Sequence, residues 1–222
     1  MKKNILVIAA HPDDEAIGCA GTIYKHTQNG DEVHLMFMTN GEGARGFSKQ
    51  RITKRRKNAL RIKELLNIKS VKFLKFPDNE MDTVSKLKII KQIEKDITKL
   101  APYRVYTHSH GDLNVDHKLC FEATITACRP QPGMSVKEIF SFEIPSSTDW
   151  SASKYHRFNP NFYVDISRYT KIKIKALEIY KDEMREEPHT RSIKNIERLM
   201  HLRGNTVGYN AAEAFEVIRI ID

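Results

Sequence analysis

The chain has 222 residues, 40% of them hydrophobic and 29% charged, a balance that excludes a disordered or fibrous polypeptide. Its formal charge of +9 would attract anions in general, but no aromatic-basic signature accompanies it, so no nucleic-acid partner is expected. No Pro/Gly/Ser-rich linker divides the chain, and the first apolar run, Ile5 to Ala10, is too short for a signal-peptide core or a membrane span; a single cytoplasmic domain over residues 1–222 is expected.

In chain order, the apolar residues 4–9 predict a buried strand that runs directly into His11-Pro12-Asp13-Asp14-Glu15. Ile17, Ala20, Ile23 and Tyr24 recur at helical spacing and predict a helix over 16–28, stopped by Asn29-Gly30. The small residues of Ala16-Ile17-Gly18-Cys19-Ala20-Gly21 allow this helix to pack closely behind the strand. Val33 to Met38 is apolar throughout, as a strand covered on both faces should be. A glycine-rich loop follows at 40–46, then a helix near 50–67, a strand at 71–76, a helix near 85–100 and a strand at 103–108. The basic run Lys54-Arg55-Arg56-Lys57 falls within the first of these helices, where a solvated face accounts for most of it. The second half predicts a helix near 117–128, a strand at 138–144, extended residues at 162–166, helices near 170–183 and 191–203, and a terminal strand at 215–220. Residues 129–160 are the least regular, either a substrate loop or a long connection.

This β-α alternation predicts an α/β fold, a Rossmann-like three-layer α/β/α sandwich with a mostly parallel sheet, whose ligands bind beyond the carboxyl ends of the strands. Cys19, Cys120 and Cys128 are odd in number, lack CxxC spacing and fall in helical segments, so they read as reduced core residues.

Two clusters of potential metal ligands follow strands. The first is His11, Asp13 and Asp14. The second is His108-Ser109-His110-Gly111-Asp112-Leu113-Asn114-Val115-Asp116-His117. Either alone has an ordinary explanation: aspartates at 13 and 14 as helix caps, Asp116 as a cap for the helix beginning at His117. Placed at the same rim of one sheet, imidazole and carboxylate together suit zinc. A plain nucleotide-binding module is the competing class, but Gly-x-Gly-x-x-Gly is absent after the first strand, and Gly41-Glu42-Gly43 is a weak substitute.

These motifs resemble the PIG-L/LmbE family of zinc-dependent N-deacetylases: Ala10-His11-Pro12-Asp13-Asp14-Glu15, the later Asp116-His117, Phe76-Pro77-Asp78 after the third strand, and the late Ala212-Glu213-Ala214-Phe215. The resemblance implies that His11, Asp14 and His117 bind Zn2+, with another divalent transition metal as the alternative, and that Asp13 is the general base. It implies a small-molecule substrate: an N-acetylglucosamine-type amino sugar, nucleotide-linked for surface polysaccharide synthesis, or a sugar-malate or sugar-inositol conjugate on the way to a low-molecular-weight thiol. By analogy it also implies a homo-oligomer, a trimer or hexamer.

The chain departs from the family pattern at Asn114, where many members carry a histidine. An amide donates hydrogen bonds but shuttles no proton, so the acid role falls to His110 or His108. Arg55, followed at 58 by asparagine rather than the usual acid, is expected to contact substrate. Asp78 either accepts bonds from sugar hydroxyls or only closes a turn. His189 either faces the cleft or belongs to a segment capped by Thr190, and Trp150 either stacks on a sugar or anchors its loop.

Overall fold

Alternate side chains of the first strand, β1 (Asn4–Ala9), enter opposite cores. Ile5, Val7 and Ala9 join one buried cluster, whereas Leu6 and Ile8 join the other. Because strand side chains point alternately to the two faces, an unbroken apolar run marks a strand covered on both sides. The computed structural model describes residues 2–39, 41, 48–152 and 157–222.

After β1 come α1 (Asp14–Gln28), β2 (Glu32–Thr39), α2 (Lys49–Leu65), β3 (Ser70–Phe76), α3 (Lys86–Leu100), β4 (Arg104–His108), α4 (Val115–Ala127), β5 (Glu138–Phe142), β6 (Phe162–Asp165), α5 (Thr170–Ile179), α6 (Ile193–Asn205) and β7 (Ala212–Ile220). They build one seven-stranded sheet in the order β3-β2-β1-β4-β5-β7-β6. Strands β1 to β5 are parallel, and β7 runs antiparallel to both β5 and β6. One core holds apolar residues of α1, α2, α5 and α6; the other holds those of α3 and α4. This is the expected mostly parallel α/β/α sandwich.

The chain moves outward from β1 through β2 to β3, then returns to place β4 on the other side of β1. At such a reversal the loops leaving two neighbouring strands diverge and open a crevice at their carboxyl ends. The two ligand-bearing segments leave from β1 and β4, and so share that crevice.

The glycines of α1 permit the close approach expected of them. A Cβ on Gly18 would lie 2.6 Å from the Phe142 ring, and one on Gly21 would lie 2.8 Å from Ile166. The helix is also broken at Cys19 (φ −149°, ψ 23°), and a buried ion pair serves the backbone groups on either side. Glu213 accepts from the Gly21 and Thr22 amides at 3.0 and 2.6 Å, while Lys173 donates to the Ile17 carbonyl at 2.8 Å. Glu213 lies in the Ala212-Glu213-Ala214-Phe215 segment that carried part of the family resemblance.

Boundaries differ from expectation where tertiary contacts intervene. Helix α1 begins at Asp14, two residues early, because Asp13 adopts a non-helical conformation directly before it. The helix expected over 170–183 stops at Ile179, and a 3-10 turn covers Lys181–Glu183. There the buried Tyr180 hydroxyl donates to Glu15 at 2.8 Å. Strand β7 starts at Ala212, where it pairs with Asp165 of β6. Apart from Gly41, the loop expected at 40–46 is outside the described residues from 42 on, as is residue 40. The three cysteines are free and buried, and no described helix is long and apolar enough to cross a membrane.

Candidate metal centre and cleft

The end of β1 delivers His11 and Asp13 on the turn into α1, whose first turn carries Asp14. The loop after β4 leads into α4, whose first turn carries Asp116 and His117. Asn114 is the helix cap: its side-chain oxygen accepts from the Asp116 and His117 amides at 2.8 and 3.4 Å. The cap role expected of Asp116 therefore belongs to Asn114, and the Asp116 side chain points elsewhere.

Three donor atoms close a triangle. His11 Nδ1 lies 3.2 Å from His117 Nε2 and 3.3 Å from Asp14 Oδ2, and the third edge, His117 Nε2 to Asp14 Oδ2, is 3.5 Å. Ligand bonds of about 2.0–2.1 Å in tetrahedral geometry separate ligand atoms by roughly 3.3–3.4 Å. The donor set and its spacing thus fit a zinc-sized ion, and all three residues are buried.

A carboxylate stands behind each histidine. His11 Nε2 lies 3.0 Å from Asp116 Oδ2, which also accepts from the Asn79 amide, while Oδ1 accepts from the Met81 amide. Asp116 is thereby fixed as an acceptor, so a neutral His11 keeps its proton on Nε2 and offers the Nδ1 lone pair to a metal. His117 Nδ1 lies 3.1 Å from Asp112 Oδ2, within ion-pair range but without hydrogen-bond alignment. Asp112 is itself held by Ser147, by Thr148 at 2.9 Å and by the Asn114 amide at 2.9 Å.

Without a cation the two histidines hold protons and Asp14 does not. Burial lowers the His117 pKa, but the Asp112 and Asp14 carboxylates outweigh it and push the value up to about 9. Burial likewise opposes charge on His11, yet Asp116, Asp14 and Asp78 raise its pKa well above the ordinary value. Burial works to raise Asp14, but the charge of His117 and His108 holds it well below the usual carboxylate range.

Asp13 is built differently from its neighbour. Its φ of 147° lies in a region that side chains rarely adopt, and strain of this kind, of order 1–3 kcal/mol, persists where the surroundings impose it. It turns the carboxylate away from the triangle and toward Arg55, whose Nη2 donates to Oδ1 at 2.9 Å. The other oxygen, Oδ2, is buried and has no hydrogen-bond partner among the described residues. Arg55 is itself buried; it donates to the carbonyls of Pro12 (2.8 Å) and Gly41 and lies 3.5 Å from Glu183. Burial opposes its charge, but Asp13 and Glu183 raise its pKa above the ordinary arginine value.

These groups border a cleft of about 170 Å³ lined by, among others, Asp13, Arg55, Asp78, Asn114, Glu183 and Arg191. Asp78 accepts from the Thr39 hydroxyl at 3.2 Å and lies 3.2 Å from His11 Nε2. The Asn114 amide donates to Asn79 Oδ1 at 2.9 Å.

The structure does not bring His110 or His189 to this lining. The His110 ring sits 5.1 Å from that of Phe121 on α4. The His189 ring meets Trp150 edge-on at 5.2 Å, and its Nδ1 accepts from the Arg191 amide at 3.0 Å. Helix α6 is capped by Ser192 rather than Thr190, which donates to Asp149 at 2.7 Å. His108 is fully buried: its Nε2 accepts from the Ala10 amide at 2.9 Å, and burial, aided by the neighbouring His117 charge, lowers its pKa to about 4. A neutral ring engaged in this way is poorly placed as a proton donor to substrate.

Sequence reasoning missed the supporting roles of Asp112 and Asp116 and the arrival of Glu183 and Arg191. The two aspartates flank the cap within the histidine-rich loop, which was their only signal. Glu183 and Arg191 come from segments more than sixty residues beyond the motifs.

Comparisons with known proteins bear on the family and the fold. The model of the PIG-L family, described as GlcNAc-PI de-N-acetylase, matches residues 6–128. The uncharacterized deacetylase YaiS of Escherichia coli is 32% identical over 189 residues, spanning 81% of this chain and 91% of that protein. N,N′-diacetylchitobiose deacetylase from Pyrococcus horikoshii superposes with a TM-score of 0.80 at 22% identity, covering 98% of this chain and 84% of the other. A 4-carboxy-2-hydroxymuconate hydratase from Pseudomonas putida also superposes, with a TM-score of 0.78 at 20% identity and coverage of 100% and 99%. Such likenesses show the fold, and the fold by itself does not choose the chemistry. The family model and the YaiS relation go beyond fold: the chain belongs to the PIG-L family of de-N-acetylases.

Proposed function

We propose that the protein is a metal-dependent hydrolase that removes the acetyl group from an N-acetylglucosamine-type sugar, with His11, Asp14 and His117 holding Zn2+ and Asp13 as general base. The observation that carries this reading is the contrast between adjacent carboxylates. Asp14 faces two imidazole nitrogens at 3.3 and 3.5 Å, while Asp13 keeps beside the cleft a buried oxygen without a hydrogen-bond partner among the described residues.

Bound zinc supplies a Lewis acid that acidifies water and polarises a carbonyl. The protein's own part is proton handling and placement. Asp13 Oδ2 takes a proton from the attacking water as its oxygen bonds to the acetamide carbon, and the carbonyl π pair moves onto the carbonyl oxygen. Collapse of the tetrahedral species breaks the C–N bond. Asp13 then returns the proton to the departing nitrogen, yielding acetate and a free amino sugar. Arg55 holds Asp13 in register throughout, through Oδ1. Asp78 is the acceptor proposed for a sugar hydroxyl.

The test is acetate release from a panel of free, nucleotide-linked and malate- or inositol-conjugated N-acetylglucosamine compounds, with metal content measured in parallel. Turnover lost on chelation and restored by stoichiometric Zn2+ supports the reading. A protein that binds no divalent ion after reconstitution would sink it.

A further inference from the structure

We propose that Arg191 is a catalytic residue that donates hydrogen bonds to the oxyanion of the tetrahedral species; this rests on the deacetylase reading above. The family's usual histidine is absent from position 114, and no other described group takes its place. The Asn114 oxygen caps α4 and its amide nitrogen donates to Asn79. His110 lies against Phe121, and His108 is buried behind the metal ligands.

Among the described residues two arginines line the cleft, and they are built for different work. Each nitrogen of the Arg55 guanidinium already has an acceptor, in Pro12, Gly41 and Asp13. Among the described residues the Arg191 side chain has one hydrogen-bond tether, its Nε donating to the Pro145 carbonyl at 3.3 Å. Its Nη1 stands 3.7 Å from Asp13 Oδ2, too far for a hydrogen bond. This leaves Nη1 beside Asp13 Oδ2, the oxygen proposed to activate water, and on the cleft lining.

The charge is also placed to discriminate between ground state and transition state. The cleft lining balances Asp13, Asp14, Asp78 and Glu183 against Arg55, His11 and His117; a neutral acetamide, carrying no net charge, gains little from Arg191. The negative charge that develops on its oxygen gains much more. Pre-oriented donors of this kind are worth about 10²–10³ in kcat.

The sequence cue was the segment Pro188-His189-Thr190-Arg191-Ser192, read for its histidine. The fold reverses the order of importance: His189 Nδ1 accepts the Arg191 amide and steadies the backbone that presents the arginine.

The experiment uses the zinc-loaded full chain and the variants Arg191→Met and Arg191→Lys. Expected for Arg191→Met is a fall in kcat of about 10²–10³ with KM within roughly threefold, with partial recovery in Arg191→Lys or on adding free guanidinium. A methylphosphonamide analogue of the substrate, tetrahedral and anionic, should lose a similar factor in affinity, while the amino-sugar product should not. Metal content should stay at the wild-type level. Wild-type turnover with unchanged kcat in the variants overturns this inference alone. A loss confined to KM that grows with substrate negative charge also overturns it, assigning Arg191 to an anionic substituent instead. A wild-type chain that neither binds metal nor releases acetate overturns the deacetylase reading and this inference with it.

Discussion

His11 Nε2 lies 3.0 Å from Asp116 Oδ2, a carboxylate whose two oxygens also accept from the backbone amides of Asn79 and Met81. One residue thereby ties the end of β1, the segment after β3 and the start of α4 to one imidazole orientation. Replacing Asp116 by Asn keeps its shape but weakens its hold on the His11 N–H. Carboxylates behind metal-binding histidines are typically worth 10–100-fold in metal affinity. Asp116→Asn is expected to weaken zinc binding by about that factor, measured by competition with a chromophoric chelator.

Asp13 and Asp14 should fail in different ways. Asp13→Asn retains the tolerance of asparagine for unusual φ values and leaves the donor triangle intact, so zinc content should be unchanged while kcat falls by about 10²–10⁴. Asp14→Asn should instead lose the metal. Parallel metal analysis and acetate-release kinetics on the two variants check the division of labour.

Protons and zinc compete for the same nitrogens. In the metal-free protein, His117 titrates at about 9 and His11 is raised well above its ordinary value. Both are charged at pH 7, and both must lose a proton to bind. Apparent zinc affinity should therefore rise with pH, less steeply above about 9, where His117 no longer needs to release a proton. Calorimetric titration of the metal-free chain in buffers of different ionisation enthalpy should show net proton release at pH 7; zinc uptake without it would contradict the charge state described here.

The Lys173–Glu213 pair, both partners buried, holds the break in α1 directly behind the metal-binding turn. Glu213→Ala strands the lysine and two backbone amides, and breaking one side of a buried pair costs about 3–5 kcal/mol. Urea denaturation should show a loss of that order. The double substitution Lys173→Met with Glu213→Leu should be less damaging than Glu213→Ala, because no charge is then left alone.

Much of this architecture is legible in the chain. The unbroken apolar strands could be covered only on both faces, and their alternation with helical periodicity implied the parallel sheet. His11, Asp13, Asp14 and His117 stood out because each motif directly follows a strand, and parallel strands deliver their ends to one rim. The sequence leaves the outcome open where side chains compete for a backbone role. Asn114 and Asp116 are both plausible caps, and only the packed loop shows that the asparagine caps while the aspartate turns to His11. His189 and Arg191 raise the same difficulty two residues apart: spacing cannot tell which side chain enters the cleft.

The sequence by itself determined the fold class, the family and the cluster of buried donors, because hydrophobic period and strand-end motifs are local and survive without coordinates. Only the tertiary structure decided which carboxylate supports which histidine, how Arg55 reaches Asp13, and that Arg191 rather than His189 faces the cleft. His11 to Asp116, Asp13 to Arg55 and Asp13 to Arg191 join positions 105, 42 and 178 apart, and even Asp112 and His117, five apart, meet only through the loop's packing. Packing sets their distances and directions, and no local pattern in the chain records them.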